Sequence, residues 1–200
     1  MTRIGIPALA CALLWAGGCG GSDRAFEPYG PPRPHGPGPR YRPPPLGTAA
    51  AAGAPIDGLR CSRPPVKRFG AHLEIFDAGL VVAIPPGIGI AAPHQRRGAY
   101  VRAGRCSYPV RTTEPTGVIE VAAHARVTLG QFFDVWGQPL SRERVAGFDA
   151  APGERVAAFV AGRRWRGDPR AIPLHRHAVI VLEVGAHVPP HRTYFFPPGM

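Results

Sequence analysis

From Leu59 onward, apolar and polar positions follow two periods, and each predicts a different element. His72-Leu73-Glu74-Ile75-Phe76-Asp77, then Ala78-Gly79, then Leu80 to Ile84 reads as a β-hairpin with its turn at Asp77 to Gly79. Pro85-Pro86-Gly87-Ile88-Gly89 is a rigid turn. Ala99 to Val110 is expected to hold a strand around Cys106, and Val118 to Ala122 another after the break at Pro115-Thr116-Gly117. The period then changes: Leu129, Phe132, Phe133 and Trp136 fall at i, i+3, i+4 and i+7, on one face of a helix over 128–137. Thr128 with Gln131 has capping-box spacing, Gly137 suits a left-handed C-terminal residue, and Pro139 prevents continuation. Arg155 to Val160, a turn at Ala161-Gly162 and Arg163 to Trp165 form a second expected hairpin, and Ala178 to Val184 a β-branched last strand.

That order predicts an α+β domain, mainly antiparallel β with one short amphipathic helix covering the sheet's inner face. A β-sandwich with the helix at one end is the alternative. Composition sets the domain limits. Ten of the 26 prolines lie between Pro28 and Pro55, where each ring removes a backbone donor and fixes φ. Residues 19–57 are therefore expected to be a Pro/Gly/Ala-rich disordered tether, and 58–200 a single β-rich domain. No apolar run reaches the length of about 18 residues that a membrane-spanning helix needs.

Charge narrows the partners. Twenty-four basic residues face 13 acidic ones, for a formal net charge of +11, and Lys67 is the only lysine. Part of that arginine reflects codon bias in a composition rich in Ala, Gly and Pro. The remaining field draws anionic surfaces such as phospholipid headgroups, acidic envelope polymers or an acidic protein. Nucleic acid is not expected as a partner, because the N-terminus reads as an export address. Arg3 and the apolar stretch from Ile4 to Ala16 have the length of a signal-peptide h-region. Ala16-Gly17-Gly18-Cys19 resembles the lipobox of bacterial lipoproteins, although Leu14 sits further back than that pattern places it. The resemblance implies a signal peptide over 1–18, a lipid on Cys19, and a protein anchored through that lipid on the outer side of the cell membrane. With Cys11 removed and Cys19 acylated, only Cys61 and Cys106 remain, an even pair that in an oxidising compartment most simply forms one disulfide. A two-cysteine metal site lacks any nearby C-x-x-C or Cys/His grouping.

A longer set of residues carries a second resemblance. His72-Leu73, Ile84-Pro85-Pro86-Gly87-Ile88-Gly89-Ile90, Cys106 with Tyr108, Gly117-Val118-Ile119, Leu129 to Leu140 and Gly167 to Leu174 resemble a family of uncharacterised exported bacterial proteins with a TLGQFFDxWGQPL motif. Relatives in that family carry the runs H-x-H-x-H-L and L-H-T-H-D-x-x-G-I-I-H, which imply imidazoles on one strand face and a transition-metal site. This chain keeps only His72. Arg68, Gly70, Arg111, Thr113 and Glu120 stand at the other histidine positions, and Glu114 at the acidic one. Arginine where a cation would sit implies that any such site is lost here.

His175 and His177 alternate on the approach to the last strand, so one strand face would hold both, with His187 and His191 beyond. Together with His72 they are the weak candidates for a replacement metal site. Hydrolase signatures are missing: there is no G-x-S-x-G, and no serine of the mature chain sits in a nucleophile setting. Arg163-Arg164-Trp165-Arg166 is the best polyanion-binding candidate. The expectation is a non-enzymatic domain without a cofactor that contacts another envelope component. The alternative is an exported metal-binding domain.

Overall fold

The protein is described by a computed structural model over residues 43–64 and 67–200. Its elements in chain order are α1 (Thr48–Ala52), β1 (Arg68–Asp77), β2 (Leu80–Val81), β3 (Gln95–Arg97), β4 (Tyr100–Ala103), β5 (Val110–Arg111) and β6 (Val118–Ala122). Then follow α2 (Leu129–Trp136), β7 (Arg144–Val145), β8 (Phe148–Asp149), β9 (Ala157–Val160), β10 (Arg163–Trp165), a 3-10 turn at Pro169–Ala171, and β11 (Val179–Val184). The fold is β-rich with short helices, as the hydrophobic pattern predicts.

The main sheet runs β10-β9-β11-β1-β6-β5, with β2 on the far end of β1. Both predicted hairpins form: β2 folds back on β1 with Asp77 opposite Leu80, and β10 on β9 with Arg163 opposite Val160. The sheet is mixed, not antiparallel throughout, because β1 and β11 pair in parallel with His72 opposite Val179 and Asp77 opposite Val184. Both strands are buried almost end to end, as befits the centre of a sheet covered on two faces.

One face holds the main core. Phe69, Ala71, Leu73 and Ile75 of β1, Ile119 and Val121 of β6, and Ile180, Leu182 and Val184 of β11 share a cluster with Phe132, Phe133 and Trp136 of α2. The capping box of α2 is complete. Thr128 Oγ1 accepts from the Gln131 amide at 3.3 Å, and Gln131 Oε1 accepts from the Thr128 amide at 3.1 Å. Gly137 closes the helix at φ 74°.

Two expectations need correction. The 19–57 tether ends too late, for Gly47 to Ala54 are part of the folded domain. Gly47 donates its amide to Trp136 O at 2.7 Å, Ala50 is buried, and Tyr108 Oη donates to Ala54 O. A Cβ on Gly47 would lie 2.9 Å from Gly137 Cα, so two glycines pack back to back where an Ala/Gly stretch reads as linker. The single strand expected over Ala99 to Val110 is instead two, β4 and β5, with Cys106 in the loop between them. That loop is fastened by the disulfide Cys61–Cys106, Cα to Cα 5.5 Å, the pairing expected from the cysteine count.

Candidate functional site: a charged sheet face under the C-terminal segment

Strand alternation sends the even residues of β1 to the opposite face. There the residues after β11 retrace β1 in reverse. His187 Nδ1 lies 2.8 Å from Glu183 Oε2, and His191 Nδ1 lies 2.7 Å from Glu74 Oε2. The Tyr194 ring stacks on His72 with centroids 3.7 Å apart, and Phe196 stacks on His177 at 4.5 Å. Tyr194 and Phe196 meet edge to face at 5.0 Å, so four rings run in series from His72 to His177. Gly70 makes this possible, since a Cβ there would come within 2.7 Å of the Phe196 ring.

The metal candidates therefore fall apart in space. His72 is buried on β1, and its Nε2 donates to Thr116 O at 3.0 Å. His177 donates Nε2 to Met200 O at 2.8 Å and is separated from His72 by the two rings of the C-terminal segment. His175 is exposed, its Nδ1 3.1 Å from Arg176 O. The alternation argument fails for this pair because β11 begins only at Val179: a hydrogen bond from Ala178 N to His175 O closes a turn, with His177 at φ 60°. Among the described residues no group of three His, Cys, Asp or Glu could hold a metal ion. Cys19 lies outside the described residues.

The positions that the second resemblance assigns to histidines do meet on this face, but as an ion-pair cluster. Glu120 Oε2 accepts from Arg111 Nε at 2.8 Å and lies 2.7 Å from its Nη2. Glu120 Oε1 accepts from Thr113 Oγ1 at 2.7 Å. Arg68 Nε is 3.8 Å from Glu120 Oε2, while its Nη2 donates to Ser107 Oγ at 3.1 Å. The Arg68 and Glu120 side chains are each only 7% exposed. Two guanidiniums against one carboxylate leave a positive charge uncompensated, which repels a cation.

Burial tunes the neighbouring titrations. It pulls Arg68 down to about 10, helped by the nearby Arg111 and opposed by Glu120. It pulls His72 down to about 4, against the Thr116 hydrogen bond and with the charge of His191. Burial also raises Glu74, although the His191 hydrogen bond opposes the shift. Tyr194 is raised for the same first reason. At neutral pH the face thus carries a neutral imidazole beside a net positive cluster.

Glu74, Glu183, Tyr194 and Phe196 were not singled out from sequence as parts of this face. A signal for Glu183 was there, since it interrupts a strand that is otherwise apolar, whereas Glu74 shares β1 with Arg68, His72 and Asp77. The basic candidate at 163–166 lies on the edge strand β10, with Arg163, Arg164 and Arg166 exposed and Arg164 over the Phe159 ring at 5.6 Å. No family model, curated protein or solved structure matches the chain.

Proposed function

We propose that this chain is an exported lipoprotein whose β-rich domain binds an anionic component of the cell envelope without catalysing a reaction. The lipid would sit on Cys19, holding the domain on the outer side of the membrane. The Cys61–Cys106 disulfide supports export, because such bonds persist in oxidising compartments. No helix among the described residues is long and apolar enough to cross a membrane. The domain is read as α+β and not as a sandwich, since α2 contributes Phe132, Phe133 and Trp136 to the core.

The basic edge strand supports the binding role most. β10 has one unpaired edge and exposes Arg163 and Arg164, with Arg166 just beyond it. Guanidiniums in that setting recognise phosphate or carboxylate through paired hydrogen bonds. Two measurements test the reading. Intact mass of the membrane-extracted protein carries a diacylglycerol-sized increment that Cys19→Ala removes; an unmodified, freely soluble protein overturns the anchor. Co-sedimentation with an acidic polysaccharide weakens at least tenfold in R163Q/R164Q/R166Q, and unchanged retention overturns the partner.

A further inference from the structure

A second basic feature lies away from β10. Arg60, Cys61, Ser62 and Arg63 are consecutive, and the middle of this run is fastened twice. Cys61 is bonded to Cys106, and Ser62 exchanges backbone hydrogen bonds with Ser107 at 3.0 and 2.9 Å. Opposite this run, the turn after β6 presents His124. Between them lies an open cavity of about 220 Å³, lined by Arg60, Ser62, Arg63, Pro109, Ala122 and His124.

The lining decides the ligand. It contains two guanidiniums, an imidazole and a hydroxyl, and no carboxylate. Arg60, Ser62, Arg63 and His124 are exposed, so their donors are open to solvent and to a ligand. The wall behind them adds to the field. Ala122 is the register partner of Arg68, and Pro109 O accepts from Arg68 Nη1 at 3.5 Å. The cluster around Arg68 therefore stands behind the cavity with its surplus positive charge. The volume is below the roughly 300 Å³ at which sites for drug-sized molecules begin, so it suits a single charged group. A tetrahedral phosphate has enough acceptor oxygens to engage two forked guanidiniums together with a hydroxyl and a ring N–H.

We infer that this cavity is a binding site for one phosphate group, free or as a monoester, on a rim held in place by the disulfide. It shares no residue with the basic edge strand, so it stands or falls apart from the envelope-binding role.

The test is titration calorimetry with inorganic phosphate at pH 7 and constant ionic strength. Chloride and acetate serve as competing anions, and the full chain is used. R60Q/R63Q is compared with R163Q/R164Q, which removes the same charge elsewhere. Saturable phosphate binding that falls at least tenfold in R60Q/R63Q and less than twofold in R163Q/R164Q is the expected result. Phosphate no better bound than chloride, or equal losses in the two double variants, overturns it. If R60Q/R63Q fails to fold, amide shift mapping on the unaltered protein decides: phosphate-dependent shifts centred on Ser62 and His124 support the site, and shifts spread over the arginine-rich surface overturn it. Vesicles of phosphatidic acid in phosphatidylcholine separate the sources. Capture that R60Q/R63Q abolishes assigns the pocket to a lipid headgroup, and capture that it leaves intact, with inorganic phosphate binding lost, assigns it to a free phosphate.

Discussion

The two faces of β1 are buried by opposite means. Phe69, Ala71, Leu73 and Ile75 meet the aromatic side chains of α2, whereas Arg68, His72 and Glu74 lie among charged partners and the rings of the C-terminal segment. On the apolar face the stabilisation scales with area removed from water, about 25 cal/mol per Å². On the polar face it depends on pairing, because a buried charge without a partner costs more than the pair contributes. A strand that alternates these residue types thus divides one sheet between a side held by area and a side held by pairing.

Substitutions can break that contrast. The largest effect is expected from Phe132→Ala, which opens a cavity under the apolar face and costs about 4 kcal/mol in urea unfolding. Next is Glu120→Gln, which leaves Arg68 and Arg111 facing each other and costs about 3 kcal/mol. The sharper comparison replaces Arg68, Arg111 and Glu120 together by Met, Met and Leu. Stability equal to or above that of the unaltered protein is expected; a further loss means the cluster contributes net stability. Of about the same size as the Glu120 loss is the pH response of His72. Its folded pKa of about 4 lies below the ordinary 6.5, so the folded state resists taking up the proton. The associated stability is complete above pH 6.5 and is lost as pH falls towards about 4, by about 3 kcal/mol. His72→Gln flattens that part of the profile; the other titratable groups that face the same region are Glu74, His191, Tyr194 and Glu114. An unchanged profile removes His72 from the account.

The apolar side was the legible one. Leu129, Phe132, Phe133 and Trp136 announce a helix because 3.6-residue periodicity is local, and Thr128 with Gln131 fixes its start within four residues. The hairpins were legible for the same reason. The parallel union of β1 with β11 was not, since the partners lie more than a hundred residues apart and no turn announces them. Gly47 to Ala54 read as spacer because glycine and alanine carry no pattern, yet their lack of side chains is what lets them lie against Gly137. On the polar face, pairing across β1, β5 and β6 brings Arg68, Arg111 and Glu120 together, and that depends on register, which the sequence does not print. The histidines misled in the other direction: alternation put His175 and His177 on one side at the entrance to the last strand, where the chain makes a turn instead.

The adjacency of the first long strand and the last has a consequence for assembly. A growing polypeptide can make its hairpins and its helix early, but the middle of the sheet waits until Val184 has been synthesised. Until then, the edge of β1 that will receive β11 stays unmet, and a truncated product keeps it so. Closure of the sheet therefore waits on the synthesis of β11, more than a hundred residues after β1, and those long-range pairs are the slow ones to form.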